Sequence, residues 1–200
     1  MTVLLVRHGE TTWNVEGRVQ GWTGAPLSGR GREQARTTGA YLAGVGVDRL
    51  VVSDLQRAQE TARLFEDGGL DVDRTFEQGW RERDFGDYQA LDRTTVADRR
   101  PDFDPEGSLT AVETVPGGES LDEFVRRVAA ACESVLADID DGETVCVVTH
   151  GGPIRTVVAD LTGRDMPSLA REWAPDNCSV TEIDPAEGTV LRRGDTSHLE

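Results

Sequence analysis

Three short runs constrain the fold of this 200-residue chain more than any other feature. They are Val3-Leu4-Leu5-Val6, Leu50-Val51-Val52 and Val145-Cys146-Val147-Val148. None alternates with polar residues. Continuous β-branched runs suit strands covered on both faces, as in a parallel sheet. Helical signals separate the runs. Ser28 is placed to cap a helix over 29–43, with Gly44 as its stop. Asp54 is placed to cap a second over 55–66, ended by Asp67-Gly68-Gly69. Ser120-Leu121-Asp122-Glu123 reads as a capping box opening the longest helix, to about residue 137. Gly151-Gly152-Pro153 opens another. Segments 180–183 and 189–192 read as a late strand pair. The implied fold is α/β: a three-layer sandwich with a mainly parallel central sheet flanked by helices.

At this length one domain over 1–200 is expected, with a core large enough to need no staples. The segment 71–114 fits the alternation poorly. It is rich in Asp, Arg and Pro, and reads as an excursion over one face, a lid, with a helix over 90–99 inside it.

Charge narrows the chemistry. The chain carries 21 basic and 37 acidic residues, for a net charge of −16, and every basic residue is Arg. With no Lys there is no Walker P-loop, no Schiff base and no kinase-type lysine. A surface this acidic also argues against nucleic acid. The composition resembles cytoplasmic proteins of extreme halophiles, and stability should then depend on molar salt. Cys132, Cys146 and Cys178 form no CxxC pair and read as buried hydrophobes in a reducing compartment. No apolar stretch suits a signal peptide or a membrane span, so the protein is expected to be cytoplasmic and off the membrane. A homodimer stays open.

In an open α/β sheet, ligands bind beyond the carboxyl ends of the strands. Val6 is followed by Arg7-His8-Gly9-Glu10-Thr11, Val52 by Ser53-Asp54-Leu55-Gln56-Arg57, and Val148 by Thr149-His150-Gly151-Gly152. If the strands are parallel, Arg7, His8, Arg57 and His150 meet at one sheet edge. Two Arg and two His in a protein of charge −16 suit a dianionic phosphate. Arg binds phosphate oxygens bidentately, the helix opening near Gly151 adds N–H donors, and neutral imidazole can attack phosphorus. Each residue also has a bland reading: His8 and His150 as hydrogen-bonded structural residues, Arg57 as an ion-pair partner of Glu60 or Asp54, and Arg7 as the partner of a buried carboxylate. Convergence of all four favours the functional reading.

Arg7-His8-Gly9-Glu10-Thr11-Thr12-Trp13-Asn14, Arg18-Val19-Gln20-Gly21-Trp22 and Pro26-Leu27-Ser28 resemble the histidine phosphatase superfamily, also called phosphoglycerate mutase-like. So do Ser53-Asp54-Leu55-Gln56-Arg57-Ala58, Glu82-Arg83-Asp84-Phe85-Gly86, Pro116-Gly117-Gly118-Glu119-Ser120 and Thr149-His150-Gly151-Gly152. The resemblance spans about the first 165 residues. It implies that His8 attacks phosphorus and becomes phosphohistidine. Arg7, Arg57 and His150 would hold the phosphoryl oxygens. Thr11, Asn14, Gln20, Gly21 and Gly151 would line the substrate site. Glu82 would protonate the leaving alkoxide and later take a proton from water; its bland reading is an exposed acid in the Arg81–Asp84 charge cluster. No metal and no cofactor is expected, because Arg and His take the charge-stabilising place of Mg²⁺.

The family holds both phosphatases and mutases. Mutases carry a longer basic insert after the acid loop, whereas here that stretch is short and acidic. The expectation is therefore a phosphomonoester hydrolase acting on a small phosphorylated metabolite. A cofactor-dependent phosphoglycerate mutase is the alternative, with Arg93, Arg99 and Arg100 as candidates for a second anion. A non-catalytic binder of phosphorylated ligands is a third reading. Trp13, Trp22, Phe85 and Tyr88 could wall the leaving group or belong to the core. Asp102-Phe103-Asp104 imitates an aspartyl-phosphatase motif but lies between prolines and not after a strand. There is no G-x-S-x-G elbow, and Cys146 lies inside a strand.

Overall fold

The computed structural model describes residues 1–104 and 106–200; Pro105, inside the expected excursion, lies outside the described residues. Among the described residues six strands form one sheet, in the order β3 (Arg74–Glu77), β2 (Arg49–Ser53), β4 (Thr144–Thr149), β1 (Thr2–Arg7), β5 (Val180–Asp184), β6 (Thr189–Asp195). The three apolar runs become β1 (Thr2–Arg7), β2 (Arg49–Ser53) and β4 (Thr144–Thr149). They pair in parallel, with Val6 opposite Val148 and Val52 opposite Val148. That register brings residues 7, 53 and 149 to the same edge. β5 (Val180–Asp184) and β6 (Thr189–Asp195) form the antiparallel hairpin beside β1.

Burial on both faces explains the unbroken apolar runs. Val3, Leu5, Val51, Val145 and Val147 face one layer, built from α5 (Leu121–Ala137), α6 (Gly151–Leu161) and α7 (Met166–Glu172). Leu4, Val6, Leu50, Val52 and Val148 face the other, built from α2 (Gly29–Val45) and α3 (Gln56–Asp67). Leu5 is fully buried, so Leu5→Ala should cost about 2–5 kcal/mol. The capping box at Ser120 is present as expected. A four-residue helix, α1 (Thr12–Val15), follows β1 and is capped by Thr11.

Several boundaries differ from expectation. α2 runs past Gly44 and stops at Gly46, whose φ of 82° suits the left-handed turn that ends a helix. Asp54 does not cap α3; Leu55 occupies that position without a side-chain bond, because the Asp54 carboxylate is paired with Arg81. The expected excursion contains a fourth parallel strand, β3 (Arg74–Glu77), paired with β2. It sits at the sheet edge with Phe76 half exposed, so it lacks the apolar run that marks its neighbours. The helix in this region is α4 (Arg93–Arg99), shorter than 90–99 because Asp92 caps it. Val19, Phe85, Tyr88, Val96 and Phe103 form a third small core under the excursion. The C-terminal turn is packed: His198 Nε2 lies 3.0 Å from Thr38 Oγ1 and its ring stacks on Tyr41. No helix among the described residues is long and apolar enough to cross a membrane.

Candidate active site

The carboxyl edge of the sheet does collect the four expected side chains. Arg7 ends β1 and His8 follows it. Arg57 stands in the first turn of α3, and His150 precedes α6. The His8 and His150 rings are 5.1 Å apart, and both side chains are buried. Arg57 is buried too, and donates from Nε to His8 Nε2 at 3.3 Å.

Hydrogen bonds settle which nitrogen of His8 carries the proton. Nδ1 lies 2.8 Å from the Gly9 carbonyl, which can only accept, so Nδ1 carries the proton. Nε2 therefore holds the lone pair. Burial, then the positive charges of Arg57 and Arg7, hold the His8 ring well below its usual basicity, and the same causes act on His150. Both rings are neutral at pH 7. Ser53 Oγ accepts weakly from the Leu55 N–H at 3.4 Å and stands 2.8 Å from His150 Nε2. A hydroxyl donating there leaves the proton of His150 on Nδ1, which is buried without a protein partner. Arg7 Nε is buried and unpartnered as well. Two unpaired buried donors next to that lone pair suit an oxyanion with several acceptors.

Neither bland reading of the arginines holds among the described residues. Glu60 pairs with Arg32, and Asp54 with Arg81. Arg57 instead donates from Nη2 to the Gly21 carbonyl at 2.8 Å and from Nη1 to the Thr23 carbonyl at 3.1 Å. Burial lowers Arg57 to about 10, still protonated at neutral pH. Arg7 donates to the Pro175 carbonyl at 2.6 Å. Gly21 has φ 56°, a left-handed conformation that only glycine adopts freely, and this turns its carbonyl toward Arg57.

Glu82 lies across from these groups. Its Oε1 accepts from the Arg83 N–H at 2.9 Å and its Oε2 from the Gly152 N–H at 3.2 Å. A β-carbon at Gly152 would run into that carboxylate and approach Phe124 Cζ at 2.9 Å. The second glycine after His150 is thus the room that the acid needs.

The remaining expected residues divide. Asn14 Oδ1 accepts from Thr11 N–H and Oγ1, so the amide can still offer a ligand its Nδ2 donor. The Thr11 hydroxyl is spent on that cap. Gln20 Oε1 is buried and unpartnered beside a cavity of about 460 Å³. Val19, Phe85, Arg93, Arg155 and Trp173 also line this cavity. Phe85 and Tyr88 are core, and Trp22 is 36 % exposed.

Sequence reasoning passed over four residues. Arg83 is buried and donates to the carbonyls of Thr110, Val112, Glu113 and Glu119. Arg127 forms a two-pronged ion pair with Glu119 at 2.7 Å and reaches the Glu82 carbonyl at 3.2 Å. Asn177 donates to the His8 carbonyl at 2.9 Å. Arg155 Nη2 and Arg7 Nε lie 3.4 and 3.9 Å from where a β-carbon on Gly151 would stand, so Arg155 joins the arginine–histidine edge to the cavity. Only the proximity of Arg155 to the His150-Gly151 motif could have signalled its place. The three thiols offer no rival nucleophile: burial raises Cys132 to about 11 and Cys178 to about 12, and Cys146 further.

A mainly parallel α/β protein with a neutral histidine beside buried arginines, and a carboxyl opposite, has the groups that phosphoryl chemistry needs. Residues 3–194 match the model of the histidine phosphatase superfamily (branch 1), and the chain belongs to that family. It is 33 % identical to "Probable phosphoglycerate mutase GpmB" of Salmonella paratyphi B, over an alignment covering all of this chain and 95 % of that protein. Bacillus stearothermophilus YhfR has a similar structure, with TM-score 0.87, 32 % identity, and coverage of 100 % of this chain and 99 % of the other. The alpha-ribazole phosphatase of Shigella flexneri gives TM-score 0.78 and 27 % identity, covering 92 % and 90 %.

Proposed function

We propose that this protein is a metal-independent phosphomonoester hydrolase that acts on a small phosphorylated metabolite through a phosphohistidine. The observation that carries this reading is the His8 tautomer: Nδ1 is tied to the Gly9 carbonyl and the Nε2 lone pair faces the arginine pocket. In the first half-reaction the His8 Nε2–P bond forms and the bond from phosphorus to the ester oxygen breaks. Glu82 gives its proton to the departing oxygen. In the second, a water oxygen attacks phosphorus, the Nε2–P bond breaks, and Glu82 takes the water proton. Arg7, Arg57 and His150 Nδ1 donate to the three other oxygens throughout, so stabilisation of their charge does most of the catalysis.

The test is phosphate release from an aryl phosphate and a panel of sugar and glycerol phosphates, with EDTA present and His8→Ala in parallel. Metal-independent release that the variant loses supports the reading. No release from any ester overturns it. A binder of phosphorylated ligands would keep its affinity in His8→Ala and turn over nothing.

One observation favours a second reading, a phosphoglycerate mutase. The Arg155 guanidinium, lowered to about 10 by burial, borders the 460 Å³ cavity beside the phosphate edge and has no carboxylate partner among the described residues. A second anion on the substrate could be held there while the first is transferred. Isomerisation of a phosphoglycerate faster than its hydrolysis, after priming with the bisphosphate, would decide for the mutase.

A further inference from the structure

The loop at residues 21–23 touches both halves of the site. The Gly21 and Thr23 carbonyls accept from Arg57. Between them, Trp22 Nε1 donates to the Glu82 carbonyl at 2.7 Å, and the Trp22 backbone N–H donates to Gln89 Oε1 at 2.5 Å. The Arg81 guanidinium carbon lies 4.6 Å from the centre of the indole ring. Arg81 is itself held by two bonds to the Asp54 carboxylate, at 2.6 and 2.7 Å. One tripeptide is thus bonded to the arginine that binds phosphate and to the peptide that carries the acid.

We propose that Trp22 is a positioning residue for Glu82: its indole N–H, steadied by the Arg81 stack, sets how far the Glu82 carboxyl reaches toward the leaving oxygen. This rests on the hydrolase reading above. Packing is a poor explanation of Trp22, because the side chain is 36 % exposed and a guanidinium covers its ring where a core residue would have apolar neighbours. Among the described residues the indole N–H has one hydrogen bond, and it goes to the residue whose side chain would move the proton. Arg127 reaches the same carbonyl at 3.2 Å, so the peptide stays anchored when the indole is lost. The expected defect is misplacement of the acid, with the fold intact.

Leaving-group chemistry isolates that defect. An alkoxide needs the Glu82 proton as its bond to phosphorus breaks, whereas 4-nitrophenolate is stable enough to leave without it. Trp22→Phe keeps an aromatic ring under Arg81 and removes the N–H. Its kcat/KM should fall about tenfold on glycerol phosphate and change less than about twofold on 4-nitrophenyl phosphate, a fraction of the 10²–10⁴ that a general acid supplies. In a Glu82→Gln background the same substitution should add less than about twofold on glycerol phosphate, because its effect passes through the missing acid.

Equal losses on the two esters, or full additivity with Glu82→Gln, would overturn the proposal. If Trp22→Phe does not fold, Asp54→Asn carries the test, since it frees Arg81 from the indole face without touching the core. A shift in the ratio of the two esters supports the positioning role, and an unchanged ratio overturns it. Absence of His8-dependent turnover on both esters in the unmodified protein would instead remove the hydrolase reading, and this proposal with it.

Discussion

The two sides of the site are built by different means. On the phosphate side, Arg7, His8 and His150 sit at the ends of β1 and β4, and parallel register sets their spacing to within a residue. On the acid side, Glu82 stands in a segment without regular strands, held by Arg83 and Arg127 donating to backbone carbonyls. β1 and β4 are interior strands, rigid because each is bonded on both flanks and packed on both faces. A loop reaches comparable order only when side chains from elsewhere satisfy its carbonyls. On the function proposed above, the groups that hold the phosphoryl oxygens stand on the first and the group that moves a proton stands on the second.

Substitutions can break this comparison. The largest effect is expected on the phosphate side. His8→Ala should lower kcat by about 10⁴-fold or more, as removal of a nucleophile does, and abolish an acid-labile phosphoenzyme. Turnover without that intermediate would show that the sheet edge only binds. Next, Arg83→Met should destabilise the protein by about 3–5 kcal/mol, because it leaves buried carbonyls of the excursion unpaired. Thermal unfolding checks this, and an unchanged midpoint would mean the loop is held by other contacts. Gly152→Ala joins the two sides. Its methyl displaces the Glu82 carboxylate, so kcat on an alkyl phosphate should fall about 10²-fold, the low end of general-acid effects, with aryl phosphate less affected.

A smaller effect is expected from pH. His8 and His150 are held below their unfolded value, so the unfolded chain binds more protons once pH falls below about 6.5. Their contribution is complete above that pH and is lost as pH drops, by up to about 1.4 kcal/mol per unit for each ring. Denaturation midpoints in urea at pH 7 and 5 would measure it. Saturating vanadate should shrink the loss, since an oxyanion offsets the arginine charges and stabilises N by ligand linkage. The smallest expected effect is that of salt. With a net charge of −16, molar KCl should raise the midpoint by screening, and full stability in dilute buffer would refute the halophilic reading.

The phosphate side was legible from residue order because strand ends follow apolar runs directly. Arg7, His8 and His150 needed only the inference that β1 and β4 are parallel. Glu82 was legible only through the family resemblance; its neighbours Arg81 and Arg83 make it look like part of a solvated charge cluster. β3 escaped because an edge strand is half wet and carries no apolar signature. The Asp54 cap was misread because its true partner, Arg81, is 27 residues away. The packing of the C-terminal turn has no local signal, because Tyr41 and Thr38, which hold His198, lie on α2.

The order of residues alone determined the layered α/β fold, the edge where the cations gather and the exclusion of lysine chemistry, since periodicity and residue type are local properties. Only the tertiary structure decided that His8 presents Nε2, that Arg57 is anchored by the carbonyls of Gly21 and Thr23, and that Trp22 bonds to the peptide of Glu82. Each of these is a hydrogen bond, and all but the first join residues far apart in the chain. A hydrogen bond depends on direction and on a few tenths of an ångström, which packing of the whole molecule sets and no local pattern encodes.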